Sequence, residues 1–164
     1  MKFTAPLHAF THWEKNTPDQ LMFHQPFAQG SVKTTYREAG IEIRKIAQAL
    51  IAMDYAPKSK IALLSKNCSH WIMADLAIQM SGHISVPIYP TINANSIAEI
   101  MSHSESKAVI VGKLDNYEAQ KSGLEEFTKI GIKAYQVEEK LNWEDMVAQN
   151  EALTEVPEQN PEDL

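Results

Sequence analysis

The chain has 164 residues and a formal charge of −6, with 44% hydrophobic and 22% charged side chains. At about 100–200 residues per domain this predicts one soluble domain with its own core, and it excludes wholesale disorder. Acidic balance without a basic stripe excludes a nucleic-acid binder, and a single cysteine, Cys68, excludes an intrachain disulfide framework and suits a reducing cytosol.

The start, Met1-Lys2-Phe3-Thr4-Ala5-Pro6, lacks the apolar segment of a signal peptide, so a cytoplasmic location is expected. Residues 6–16 read as an opening helix with Leu7, Phe10 and Trp13 in half-buried rhythm. Residues 21–24 and 31–34 are short strands around a turn at 25–30, a small hairpin. Thr35-Tyr36-Arg37-Glu38 is a capping box, and Ala39, Ile43, Ile46, Ala47, Leu50 and Met53 behind it share one helix face. Residues 60–65 form a buried strand. The apolar run 69–81 is a helix closed by Gly82, a natural left-handed cap. The stretch 68–90 is broken by His70, Asp75 and His83, so it is no membrane span and at most peripheral membrane contact is expected.

Residues 84–88 are a strand that Pro87 places at a sheet edge or at the strand's end. Asn95 or Ser96 is expected to cap a short helix through Ser102. Residues 108–111 are a strand buried on both faces, 114–130 a mostly helical segment, 133–137 a strand and 143–150 a last helix. Strand and helix alternate from 60 to 150, which predicts an α/β fold with a mostly parallel sheet flanked by helices. From 138 to 164 nine acids stand against one base, Lys140, a net of −8. The remaining 137 residues, with 14 basic and 12 acidic side chains, are at +2. The closing run 151–164, with two prolines and five acids, reads as an acidic linker, so the α/β unit is assigned to 1–150.

Chemistry is sparse along this chain. Six glycines, at 30, 40, 82, 112, 123 and 131, form no phosphate-cradling loop. His8 and His12 are spaced to share a helix face, yet without a third ligand they read as surface residues, and no metal site is expected. His70, His83 and His103 lack a carboxylate partner visible in sequence. Cys68 reads as a structural thiol, and Asp75, inside an apolar helix, as bonded to a backbone amide or a neighbouring element. No catalytic constellation is present.

From Thr35 onward the order of residues is more telling. Thr35-Tyr36-Arg37-Glu38, Lys60-Ile61-Ala62-Leu63-Leu64-Ser65-Lys66-Asn67, His70-Trp71, Ala74-Asp75-Leu76-Ala77, and Gly82 leading to Val86-Pro87-Ile88-Tyr89-Pro90-Thr91 resemble the opening of the adenylate-forming acyl-CoA ligases. Ile97-Ala98-Glu99-Ile100, Ser104 and Lys107-Ala108-Val109-Ile110-Val111 continue the pattern, and the resemblance spans roughly residues 5–140. The Val86–Thr91 run is closest to the long-chain fatty acid branch. The resemblance implies the N-terminal subdomain of an acyl-CoA synthetase-like fold, from a parent that uses fatty acid, ATP, Mg2+ and coenzyme A.

Such ligases bind ATP through a loop of the form T-S-G-T-T-G-x-P-K-G, which this sequence lacks. In the family that loop follows a segment similar to Pro157-Glu158-Gln159-Asn160-Pro161-Glu162-Asp163-Leu164. The chain is therefore expected to be an inactive N-terminal fragment, with no cofactor bound to it and the rest of the ligase as its partner; a homodimer stays open. By the same resemblance Tyr89, Pro90 and Thr91 border the channel for the coenzyme A arm. A self-contained, non-catalytic α/β ligand-binding module is the alternative.

Overall fold

The computed structural model describes residue 3 and residues 5–156. The first helix, α1 (Pro6–Asn16), starts on a proline, whose missing amide costs nothing in a first turn, and buries Leu7 and Phe10. A hairpin of β1 (Leu21–Phe27) and β2 (Gly30–Thr35) follows. Its strands are longer than expected: residues 25–27, read above as turn, belong to β1, and Phe27 pairs with Gly30 across two residues. A two-stranded ribbon leaves one side of each strand unpaired, which is why Pro26 fits inside it.

Helix α2 (Tyr36–Ile51) is nucleated by the expected capping box. Thr35 donates its backbone N–H to Glu38 Oε2 at 2.8 Å, and Glu38 N–H donates to Thr35 Oγ1 at 3.3 Å. The periodic residues Ala39, Ile43, Ile46, Ala47 and Leu50 are all buried. From there β3 (Lys60–Leu64), α3 (Ser69–Met80), β4 (Ile84–Ile88), α4 (Ala94–Ser104), β5 (Ala108–Val111), β6 (Thr128–Gly131), β7 (Leu141–Asn142) and α5 (Trp143–Gln149) complete the chain. The five later strands form one parallel sheet in the order β4-β3-β5-β6-β7. This is the α/β architecture expected from the alternation of strand and helix.

Alternation along each strand divides the core. Ile61, Leu63, Ala108, Ile110 and Ile130 face a layer of α1, α2, α3 and α5 that includes Ile43, Leu50, Met73, Ile78 and Trp143. Ala62, Leu64, Val109 and Val111 face the opposite layer, where α4 supplies Ile97 and Met101 and the 114–127 segment supplies Leu124. All four residues of β5 are buried, as a strand covered on both sides requires. Burying each valine, isoleucine or leucine among them stabilises the fold by about 1.5–3 kcal/mol.

β4 is an edge strand, as Pro87 anticipates. Ile84 N–H donates to Ser59 O at 3.0 Å, toward β3. Successive residues alternate sides, so Pro87, three positions on, points its nitrogen away from β3 and the ladder loses nothing. Gly82 holds a φ of +76°, the left-handed conformation expected after α3.

Three expectations are corrected. The cap of α4 is Asn93, whose side chain accepts from Ser96 N–H at 2.9 Å, rather than Asn95 or Ser96. Residues 114–130 are not a helix: two short 3-10 turns, Tyr117–Ala119 and Lys121–Leu124, precede β6. The 133–137 strand is instead a 3-10 turn, Lys133–Tyr135, ended by a left-handed Gln136, because β6 already occupies that place in the sheet. Strand β7 was not anticipated. Beyond α5, Leu153 N–H donates to Arg44 O at 3.3 Å, and Leu153 and Val156 pack against the larger core. Residues 157–164, the second half of the expected linker, lie outside the described residues.

Candidate functional site

Open parallel sheets bind ligands outside the carboxyl ends of strands where the order reverses. Here α3 carries the chain from β3 to β4 on one side, and α4 then returns it to β5 on the other, so the switch point lies between β3 and β5. That crevice is stitched shut by its own loops. Ser65 Oγ donates to Lys66 O at 2.8 Å and accepts from Lys113 N–H at 2.9 Å, while Lys66 N–H donates to Lys113 O at 2.8 Å. Gly112 is required there, since a Cβ would sit 2.5 Å from Ser65 Oγ. Lys66 and Asp115 close the outside as an ion pair. With no glycine-rich loop and the crevice bridged by these bonds, the described residues do not fit the triphosphate of ATP. Among the described residues no three His, Cys, Asp or Glu side chains gather to hold a metal.

The neighbouring loop, from β4 to α4, is built differently. It carries Tyr89, Pro90 and Thr91, and Tyr89 is 79% exposed rather than packed on the sheet. Thr91 is exposed and Pro90 half-buried. Underneath, the buried Gln120 donates both N–H groups of Nε2, to Pro90 O at 2.9 Å and to Ile92 O at 2.8 Å. Asn93 then fixes the start of α4, and Gly123 meets Ala94 O so closely that a Cβ would lie 2.1 Å from it. The loop is thus rigid and its aromatic side chain is presented to solvent. Sequence reasoning found the loop and missed Gln120, whose partners are backbone carbonyls 28–30 residues away with no local signature.

A polar cluster lies around the start of α3. Cys68 is the N-cap but makes no side-chain capping bond; Gln25 of the hairpin accepts from Ser69 N–H instead, at 2.8 Å. His70 Nδ1 lies 3.0 Å from the Tyr135 hydroxyl, and its Nε2 lies 3.8 Å from Glu42 Oε1. Trp143 Nε1 donates to the same Glu42 oxygen at 2.5 Å. Burial holds the His70 pKa below its ordinary value, against the opposing charges of Glu42 and Glu144. Burial, with the neighbouring Cys68, pushes Tyr135 above the usual phenol range. His70 therefore has a carboxylate partner after all, on a helix 28 residues earlier. The cluster ties α2, α3 and α5 together. Asp75 accepts from Gln79 at 2.7 Å, one turn along α3, and burial raises its pKa.

The surface depression beside α1 and α2 is lined by Leu7, Thr11, Glu14, Lys15, Arg44 and Val156, and within it Arg44 is paired with Glu14 at 2.9 Å. It offers no free recognition group from that pair.

Residues 10–164 match the family described as AMP-binding enzyme. The chain belongs to that family. Among curated members, it is 31% identical over 84 residues to a 3-[(3aS,4S,7aS)-7a-methyl-1,5-dioxo-octahydro-1H-inden-4-yl]propanoyl:CoA ligase of Rhodococcus jostii, covering 51% of this chain and 16% of that protein. It is 29% identical over 110 residues to a chloroplastic long-chain-fatty-acid–[acyl-carrier-protein] ligase of Arabidopsis thaliana, covering 67% and 15%. The fold matches a benzoate CoA ligase from Burkholderia xenovorans with a TM-score of 0.74 at 19% identity, over 98% of this chain and 31% of that one. It also matches the N-terminal subdomain of Klebsiella oxytoca NpsA, with a TM-score of 0.67 at 17% identity, over 95% and 35%. The matches thus cover about a sixth of these two curated relatives and about a third of the two solved structures.

Proposed function

We propose that these residues are the N-terminal subdomain of an ATP-dependent acid–thiol ligase, acting on a long-chain fatty acid with coenzyme A as acceptor. The family match over residues 10–164 carries this reading. In the first step a carboxylate oxygen attacks the α-phosphorus of ATP, forming acyl-AMP and expelling pyrophosphate with Mg2+ as counter-ion. In the second, the coenzyme A thiolate attacks the acyl carbonyl and AMP leaves. We assign residues 1–150 to the subdomain and 151–164 to an acidic stretch that leads toward the phosphate loop of the parent, with Leu153 and Val156 of that stretch still packed against the larger core.

The groups that stabilise phosphoryl transfer belong elsewhere in that parent, because these residues hold no glycine-rich phosphate loop and Ser65 and the loop at Lys113 are hydrogen-bonded to each other across the crevice between β3 and β5. The subdomain's own contribution is the rigid Tyr89-Pro90-Thr91 loop, bordering the path by which the thiol reaches the acyl-adenylate. Its exposure and its place at the carboxyl end of a parallel strand support that role.

The test uses the full-length protein with palmitate, ATP and coenzyme A. Wild type is expected to release pyrophosphate in an acid-dependent first step and to form palmitoyl-CoA in the second. Thr91→Trp is expected to leave single-turnover acyl-AMP formation within about twofold and to slow thioester formation by about a hundredfold, the scale of a misplaced reactant. Equal losses in both steps would return the loop to a purely structural role.

A further inference from the structure

We propose that Gln120 is a positioning residue for the second half-reaction, fixing the loop that lines the thiol's path. With that loop bordering the acceptor, as proposed above, the shape of its backbone decides whether the thiol can approach. Besides the turn bond from Ile92 N–H to Tyr89 O at 3.5 Å, three constraints act on it. Pro90 locks its own φ, Asn93 anchors the start of α4, and the two carbonyls flanking Thr91, those of Pro90 and Ile92, are both held by one amide nitrogen. The first two are local. The third comes from the 3-10 segment that follows β5 and is the one that ties the middle of the loop to the body of the domain.

The chemistry of the amide is matched to this task. A primary amide carries two N–H donors on one nitrogen, and here each has a carbonyl partner at 2.8–2.9 Å. Gln120 is only 8% exposed, so water is poorly placed to replace it. Its own backbone is fixed on either side: Gln120 N–H donates to Tyr117 O at 2.9 Å and Gly123 N–H to Gln120 O at 3.0 Å. Tyr117 is secured in turn by its hydroxyl, which donates to Glu139 at 2.5 Å. Contact of Gly123 with Ala94 O presses the same segment onto the start of α4. Loss of the amide frees two carbonyls and the Thr91 peptide between them, while every strand of the sheet keeps its ladder.

The full-length protein with palmitate, ATP and coenzyme A provides the test, comparing Gln120→Met, which keeps length and removes both donors, with Thr91→Trp. Gln120→Met is expected to raise KM for coenzyme A by about tenfold or more while single-turnover acyl-AMP formation stays within about twofold. Amide hydrogen exchange is expected to accelerate at residues 91–93 and to stay slow in β3 and β5. This local readout shows whether the variant has kept its fold. Gln120→Asn, too short to reach both carbonyls, is expected to fall with Gln120→Met. An unchanged KM for coenzyme A, beside a Thr91→Trp that still separates the two steps, would overturn the role of Gln120 alone. Absence of that separation in Thr91→Trp would overturn the loop reading and the Gln120 role with it. Equal loss of both steps with faster exchange throughout β3 and β5 would make Gln120 a folding residue and overturn the proposal.

Discussion

At His70 burial outweighs two nearby carboxylates, and the imidazole is held neutral more firmly than in the unfolded chain. A histidine with a depressed pKa contributes stability that is present above its unfolded value, about 6.5, and is lost as pH falls toward the folded value. Acidification from pH 7.5 to 5.5 should therefore lower stability, with buried His83, also depressed, contributing in the same direction. His70→Gln is expected to lose less over that interval, measured as the change in urea midpoint at the two pH values. Glu14 and Asp75, both raised by burial, respond with the opposite sign, but they are common to both proteins and cancel in the comparison. An equal loss in wild type and variant would show that Glu42 and Glu144 fully offset burial at His70.

The short 3-10 segment between β5 and β6 is the element on which the candidate site depends. Gly123 lies against the Ala94 carbonyl, and the clash falls on backbone at both ends, where no side chain can swing aside. Gly123→Ala is expected to cost about 3 kcal/mol, a fall in Tm of roughly 10 °C, checked by thermal melting. This element was also the least legible one in the sequence. Helices α1, α2 and α3 announce themselves through a proline start, a capping box and a terminal glycine, and β3 and β5 through short buried runs. Residues 114–130 carry one local signal, Asn116, which accepts from Ala119 N–H three residues on; the side chain of Gln120 and the missing Cβ of Gly123 find their roles only against partners brought near by the sheet. The Ala134-Tyr135-Gln136-Val137 alternation looks like a strand, yet the preceding residues had already taken the place beside β5. The loop at Tyr89 was legible from its proline and position. The Glu42–His70–Trp143 contacts, bridging 28 and 101 residues, were not.

For the molecule as a whole, the closed crevice between β3 and β5 bears on what residues 1–164 do alone. On the reading proposed above, the isolated chain releases no pyrophosphate from palmitate and ATP, and ATP leaves its Tm unshifted. Micromolar ATP binding by calorimetry would contradict this, because ligand at 100 times its Kd would add about 2.7 kcal/mol to stability. The packing of Leu153 and Val156 onto the larger core means that the chain leaves the domain from a defined point on that layer, rather than directly from the end of α5.

Pro87 has a reach beyond the strand it sits in. Along β4 the residues that turn away from β3 are Ser85 and Pro87, so the outward row offers one amide donor where a regular strand offers two. A second chain attempting to extend the sheet there by strand addition finds its acceptors half unanswered. Edge-to-edge growth, the first step toward aggregates, is thereby discouraged on this flank by a residue that costs the native ladder nothing.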